Sequence, residues 1–114
     1  MAPKIRTFTL PELAAGYAGD LSGGEYVELL RFANIDDPVQ ADDARAEECL
    51  FTSVALENLR NARLLQCELE QINAPSLNAA GAFFNDVRVE HSRFGSADFA
   101  EAELDGVVFE NCKF

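Results

Sequence analysis

Counting back from Phe114 in steps of five meets Phe109, Leu104, Phe99, Phe94, Val89, Phe84, Ala79, Ala74, Leu69, Leu64, Leu59 and Val54, thirteen apolar centres in unbroken register. A second series lies two residues before each centre. It reads Cys112, Val107, Ala102, Ala97, Ser92, Val87, Ala82, Leu77, Ile72, Cys67 and Ala62, and is small or apolar almost throughout. A period of five is neither the 3.6 of an amphipathic helix nor the 2 of a long strand. A chain that buries the first and third residues of every five needs a short extended segment followed by a tight turn. Four such segments close a square coil of about 20 residues, and successive coils stack as a solenoid about 4.8 Å apart, joined by backbone hydrogen bonds along the axis.

From Glu57 onward the chain divides into fives without insertion. The block ADFAE (97–101) reads small residue, Asp, Phe, then two variable residues; ANIDD (33–37) follows the same order, and GDLSG (19–23) nearly does. This pattern resembles the pentapeptide-repeat family. The resemblance implies an all-β fold, a right-handed quadrilateral β-helix with an irregular N-terminal cap. The expected organisation is one domain over residues 1–114: a cap over 1–17, a loop or irregular coil over 35–48, and regular coils over 49–114. Within the cap, Thr7–Leu10 reads as a strand and Pro11–Ala15 as a helical turn begun by proline.

A square coil places residues 20 apart on one face. The expected columns are Val54, Ala74, Phe94, Phe114; Leu59, Ala79, Phe99; Leu64, Phe84, Leu104; and Cys49, Leu69, Val89, Phe109, with aromatic rings concentrated in the last two coils. Ala74 and Ala79 are small for central positions, while Ile72 and Leu77, two residues earlier, are large. The volumes trade places, as a core of fixed volume requires. Pro75 cannot donate a backbone hydrogen bond, so it belongs at a corner or a gap in the ladder. Upstream the register fails. IDDPVQADDARAEE (35–48) carries six acids and Pro38, and reads as an insertion or loop, or with a short helical turn over Asp42–Glu48, before a coil resumes near Cys49.

Twenty acidic against nine basic side chains give a formal net charge of −11. That excludes direct nucleic-acid binding, which needs clustered Lys and Arg, and favours a basic partner. No apolar run approaches the roughly 20 residues of a membrane span, and Met1–Leu10 lacks the apolar centre of a signal peptide. Cys49, Cys67 and Cys112 lack metal-ligand spacing and fall at or near inward positions, as expected of free thiols in a cytoplasmic protein. The single histidine, His91, falls at an outward turn site. With no nucleophile beside a base, no phosphate-binding loop and no metal cluster in the pattern, the chain reads as non-enzymatic, without cofactor or metal.

What remains is the acidic surface. Glu70, Glu90 and Glu110 are each 20 apart and should form a vertical ladder, partly offset by Arg88; Asp98, Glu101, Glu103 and Asp105 add to it, with no basic residue from 94 to 112. The resemblance implies more. Quinolone-resistance members of the family are acidic dimeric rods that look like a DNA duplex and bind DNA gyrase, so these seven acids are the residues that would stand for phosphates. The last coil would leave Val107, Phe109, Cys112 and Phe114 uncovered, and an end-to-end homodimer through them is expected. The alternative is a structural or scaffold repeat protein with another partner, or a shortened or engineered version of a longer one.

Overall fold

The structure is a computed structural model and describes residues 13–21, 24 and 26–113. Its elements in chain order are β1 (Ala14–Ala15), a 3-10 turn (Ala18–Leu21), β2 (Tyr26–Glu28), β3 (Leu30–Gln40), β4 (Arg45–Glu47), β5 (Leu50–Asn58), β6 (Arg63–Leu65), β7 (Glu68–Glu70), β8 (Asn73–Asn78), β9 (Phe83–Asn85), β10 (Arg88–Glu90), β11 (Arg93–Asp98), β12 (Glu103–Asp105) and β13 (Val108–Glu110). All strand pairs are parallel. The chain winds as a β-solenoid of about five turns.

The five-residue period has a direct local cause. In a segment such as Glu103–Leu104–Asp105 only the central side chain can point into the tube, because successive side chains on a strand alternate. One residue later the chain turns through a left-handed residue. Asn61, Gln66 and Gln71 have positive φ, as do Gly81, Asp86 and His91 in the next coil and Glu101, Gly106 and Asn111 in the one after. Three corners of each coil are built this way. At the first, the N–H of Ala62 donates to the carbonyl of Leu59, that of Ala82 to Ala79, and that of Ala102 to Phe99, which gives stacked tight turns with the positive-φ residue third. The fourth corner is different: β8 and β11 run extended through it, across two faces.

The core follows the expected columns where coils hold 20 residues. Leu64 lies under Phe84 and Phe84 under Leu104; Leu69 lies under Val89 and Val89 under Phe109; Ala74 lies under Phe94. Ile72, Ala74, Leu77 and Ala79 are all buried, so the exchanged volumes share one interior. Ser92 takes a small inward position because it replaces a missing backbone partner. Its Oγ accepts from the Ile72 N–H at 3.0 Å and donates to the Glu90 carbonyl at 3.0 Å, a pairing its burial makes obligatory.

Earlier coils are shorter, and the expected columns change there. Arg45 pairs with Arg63 and Leu50 with Glu68, eighteen residues apart, and Tyr26 with Arg45, nineteen apart. Leu69 therefore rests on Phe51 rather than Cys49, and Asn73 pairs with Ala55, which places Leu56 rather than Val54 next to Ala74. The return to twenty falls between Ala55 and Asn58, where the register shifts; coils are regular only beyond it. Residues 35–48 are not a loop. Ile35 to Gln40 complete β3, and β4 follows after one turn, so no helical turn forms over Asp42–Glu48. The coil is irregular in register, and its acids occupy outward or corner positions, Asp43 and Glu48 at positive φ. Ala14–Ala15 pair with Leu30 and Arg31 as a strand instead of ending a helical turn; Thr7–Leu10 and the start of that turn lie outside the described residues. Phe32 and Phe51 of the early coils stack face to face, with centroids 4.9 Å apart, while Phe94 and Phe109 of the last coils meet edge to face at 6.3 Å.

Candidate functional site

The acidic ladder is formed by strand register alone. Glu70 pairs with Glu90 and Glu90 with Glu110, on the outward side of β7, β10 and β13. Parallel pairing holds these carboxylates at steps of about 4.8 Å, and the coils are tied beneath them by Gln71 N–H to the Glu90 carbonyl and His91 N–H to the Glu110 carbonyl, both 3.0 Å. Like charges opposite one another on a sheet oppose folding. Arg88 offsets part of this: its guanidinium meets Glu68 at 3.3 Å and Glu90 at 3.8 Å. Glu68, which the period alone did not single out, thus joins the site. Partial burial raises its pKa above the ordinary carboxylate value, Arg88 acts in the opposite sense, and Glu70 and Glu90 raise it further.

That shift has a sign for stability. Glu68 takes up its proton at a higher pH in the folded chain than in the unfolded one, so its unfavourable contribution is present at neutral pH and disappears as pH falls through the folded value. Lowering the pH from neutrality towards the ordinary carboxylate range is expected to raise the urea midpoint, and Glu68→Gln to flatten that rise. A midpoint that falls throughout this window, with the variant falling in parallel, would contradict this account.

The other four acids do not extend the ladder. Glu103 and Asp105 lie outward on β12, over Phe83 and Asn85, on the neighbouring face. Glu101 is an exposed corner residue at φ 59°. Asp98 stacks over Asn78, and its Oδ1 accepts from the Ala100 N–H at 2.9 Å, as Asn58 does from Arg60 and Asn78 from Ala80. Asp98 is therefore one member of a column of turn-closing side chains. The acids of the last coil wrap three faces; the remaining face carries Arg93 and Lys113, bridged in register.

A contrasting carboxylate pair lies on the face of β2 and β4. Glu28 and Glu47 are in register, and the Tyr26 hydroxyl donates to both, at 3.1 and 2.8 Å. The bond to Glu47 leads in holding that phenol protonated well above its ordinary range. The Glu70–Glu90–Glu110 ladder has no such donor bridging successive carboxylates among the described residues.

Val107, Phe109 and Cys112 of the expected dimer surface are half-buried against the end of the core, and Phe114 lies outside the described residues. Leu104, which the sequence reading did not place in that surface, is 45 % exposed, against 2 % for Phe84 and Leu64 in the same column. Cys49 and Cys67 are buried and Cys112 half-buried, all as free thiols; burial raises the Cys67 pKa. Each sulfur lies within 3.5 Å of a backbone carbonyl. His91 stands exposed at its corner with φ 50°. Among the described residues, no three of His, Cys, Asp and Glu converge as a metal site, and no helix is long and apolar enough to cross a membrane. Protein-family models, curated proteins and solved structures gave no match to this chain.

Proposed function

We propose that this chain is a non-enzymatic, cytoplasmic interaction module that presents its acidic ladder to a cationic protein groove, and that such a groove is the one in which DNA gyrase or a related topoisomerase holds DNA. The observation that carries the reading is the in-register set Glu70, Glu90 and Glu110, maintained on one face although like-charge stacking works against the fold. The pentapeptide-repeat pattern of the sequence supports the choice of gyrase. In a supercoiling assay at low salt, micromolar protein is expected to inhibit or protect the enzyme; no effect there would eliminate DNA mimicry. Asp98, Glu101, Glu103 and Asp105 favour a second role. Their spread over several positions and the turn bond of Asp98 fit solvation of a structural or scaffold solenoid.

The proposal includes a homodimer through the last described coil. Leu104 and the half-buried Phe99, Val107, Phe109 and Cys112 form an apolar end that a second copy would cover about a two-fold axis. Sedimentation at micromolar concentration is expected to give a dimer, and Leu104→Glu a monomer; a monomeric parent protein would overturn this part alone.

A further inference from the structure

The fourth corner of the solenoid carries a groove that the acidic ladder does not use. Along this corner β8 and β11 pair at Ala74–Phe94 and again at Ser76–Ser96, but not at Pro75–Gly95. Proline supplies no N–H to the ladder, and Gly95 lies so close over the Pro75 carbonyl that a Cβ there would collide with it. The wall is thinned again one coil earlier, where the register passes from eighteen to twenty between Ala55 and Asn58. Two adjoining depressions result, of about 250 and 370 Å³, sharing Asn73 and Pro75.

The ends of this groove differ in charge. The first depression is lined by Asp36 and Glu57, with Pro38 and Leu56 giving it an apolar wall; the second is lined by Arg93 and Lys113. Among the described residues Asp36, Arg93 and Lys113 form no ion pair, and Glu57 accepts only from the Gln40 amide, at 3.0 Å. Arg93 and Lys113 are in register, so two cations stand side by side on a chain with net charge −11. From the row of Asp36 to that of Lys113 the groove crosses four coil steps, about 19 Å at the parallel-strand spacing, which is the length of roughly six extended residues.

We propose that this groove binds an extended segment of a partner protein, about six residues long, with a Lys or Arg at one end and a Glu or Asp at the other. The cation lies between Asp36 and Glu57, the carboxylate between Arg93 and Lys113, and small apolar residues or proline fill the middle. The net charge of the chain would by itself favour a peptide with two cations, so preference for the dipolar segment isolates the groove from the general field.

The test measures fluorescence anisotropy of capped, labelled hexapeptides at low salt: Lys-Ala-Pro-Ala-Ala-Glu and its Lys/Lys, Glu/Glu and uncharged counterparts. The full chain is expected to bind the Lys/Glu peptide at least tenfold more tightly than the other three. The double variant Arg93→Glu, Lys113→Glu, with circular dichroism confirming the fold, is expected to prefer the Lys/Lys peptide. Ser76→Trp, which obstructs the groove without changing its charge, is expected to weaken binding of the Lys/Glu peptide by the same order. Equal affinities, a parent preference for Lys/Lys, or a double variant with unchanged preference would each overturn the proposal. None of these outcomes depends on gyrase.

Discussion

Replacing Phe51 with alanine is expected to destabilise the fold by about 3–5 kcal/mol, the range for a buried phenylalanine truncated in a core that cannot collapse around the gap. Phe51 is 2 % exposed, stacked on Phe32 with centroids 4.9 Å apart and an interplanar angle of 17°, and followed in its column by Leu69. A solenoid has no second layer to close over such a void. Each coil contacts mainly its two neighbours, and around Phe51 those neighbours are held in register by the pairing of Phe51 with Phe32 and with Leu69. The loss should therefore appear in full as a lower urea midpoint. A change in slope as well would mean that the coils before and after Phe51 unfold separately. A loss under about 1 kcal/mol would show that the column is not rigid and repacks around the gap.

The same column shows how far the sequence could be read. Between Asn58 and Lys113 every coil holds twenty residues, so the position of each inward residue follows from its number, as Leu64, Phe84 and Leu104 illustrate. Earlier coils lose one or two residues but keep their inward positions. Simple counting then moves Cys49 beneath Leu69 and hides Phe51, although Cys49 is itself buried in the neighbouring small column. The acids of 35–48 make an irregular coil look like a loop for another reason. A corner residue in the left-handed region and an outward strand residue are both solvated, so Asp36, Asp43 and Glu48 look like loop in composition while lying within a coil.

The candidate sites divide along the same line. The ladder at 70, 90 and 110 was legible because it lies within the regular coils and depends only on number. Asp98 belongs to the same regular region but has another use, because the second place of the repeat is where a side chain can reach the N–H two residues on, as Asn58 and Asn78 also do in the structure. The groove at the fourth corner left one trace in the sequence, Pro75 as a gap in the ladder. Its partners Asp36, Pro38 and Glu57 come from the shortened coils, and their approach to Pro75 depends on a register shift that counting in fives cannot show.

The substitutions with the largest expected effect on function are Glu70→Gln, Glu90→Gln and Glu110→Gln made together. Their effects on folding and on binding should have opposite signs, which separates the two. For folding, removing three in-register charges relieves repulsion between strands, each such pair being worth about 0.2–1 kcal/mol on a sheet, while Arg88 keeps Glu68 as its nearer partner at 3.3 Å. The urea midpoint at neutral pH should stay level or rise. For binding, three carboxylates about 4.8 Å apart act on a cationic groove as one line of charge. Under the proposed function, their loss should raise the protein concentration needed to inhibit gyrase by at least tenfold at low salt. The difference should shrink as added salt brings the screening length to about 8 Å near 0.15 M. Glu103→Gln with Asp105→Gln, on the adjacent face, removes two charges outside the ladder and should cost much less. If the two sets of variants lose inhibition equally, net charge rather than alignment governs the interaction; if the triple variant inhibits as well as the parent protein, the ladder is only a solvated face of the solenoid.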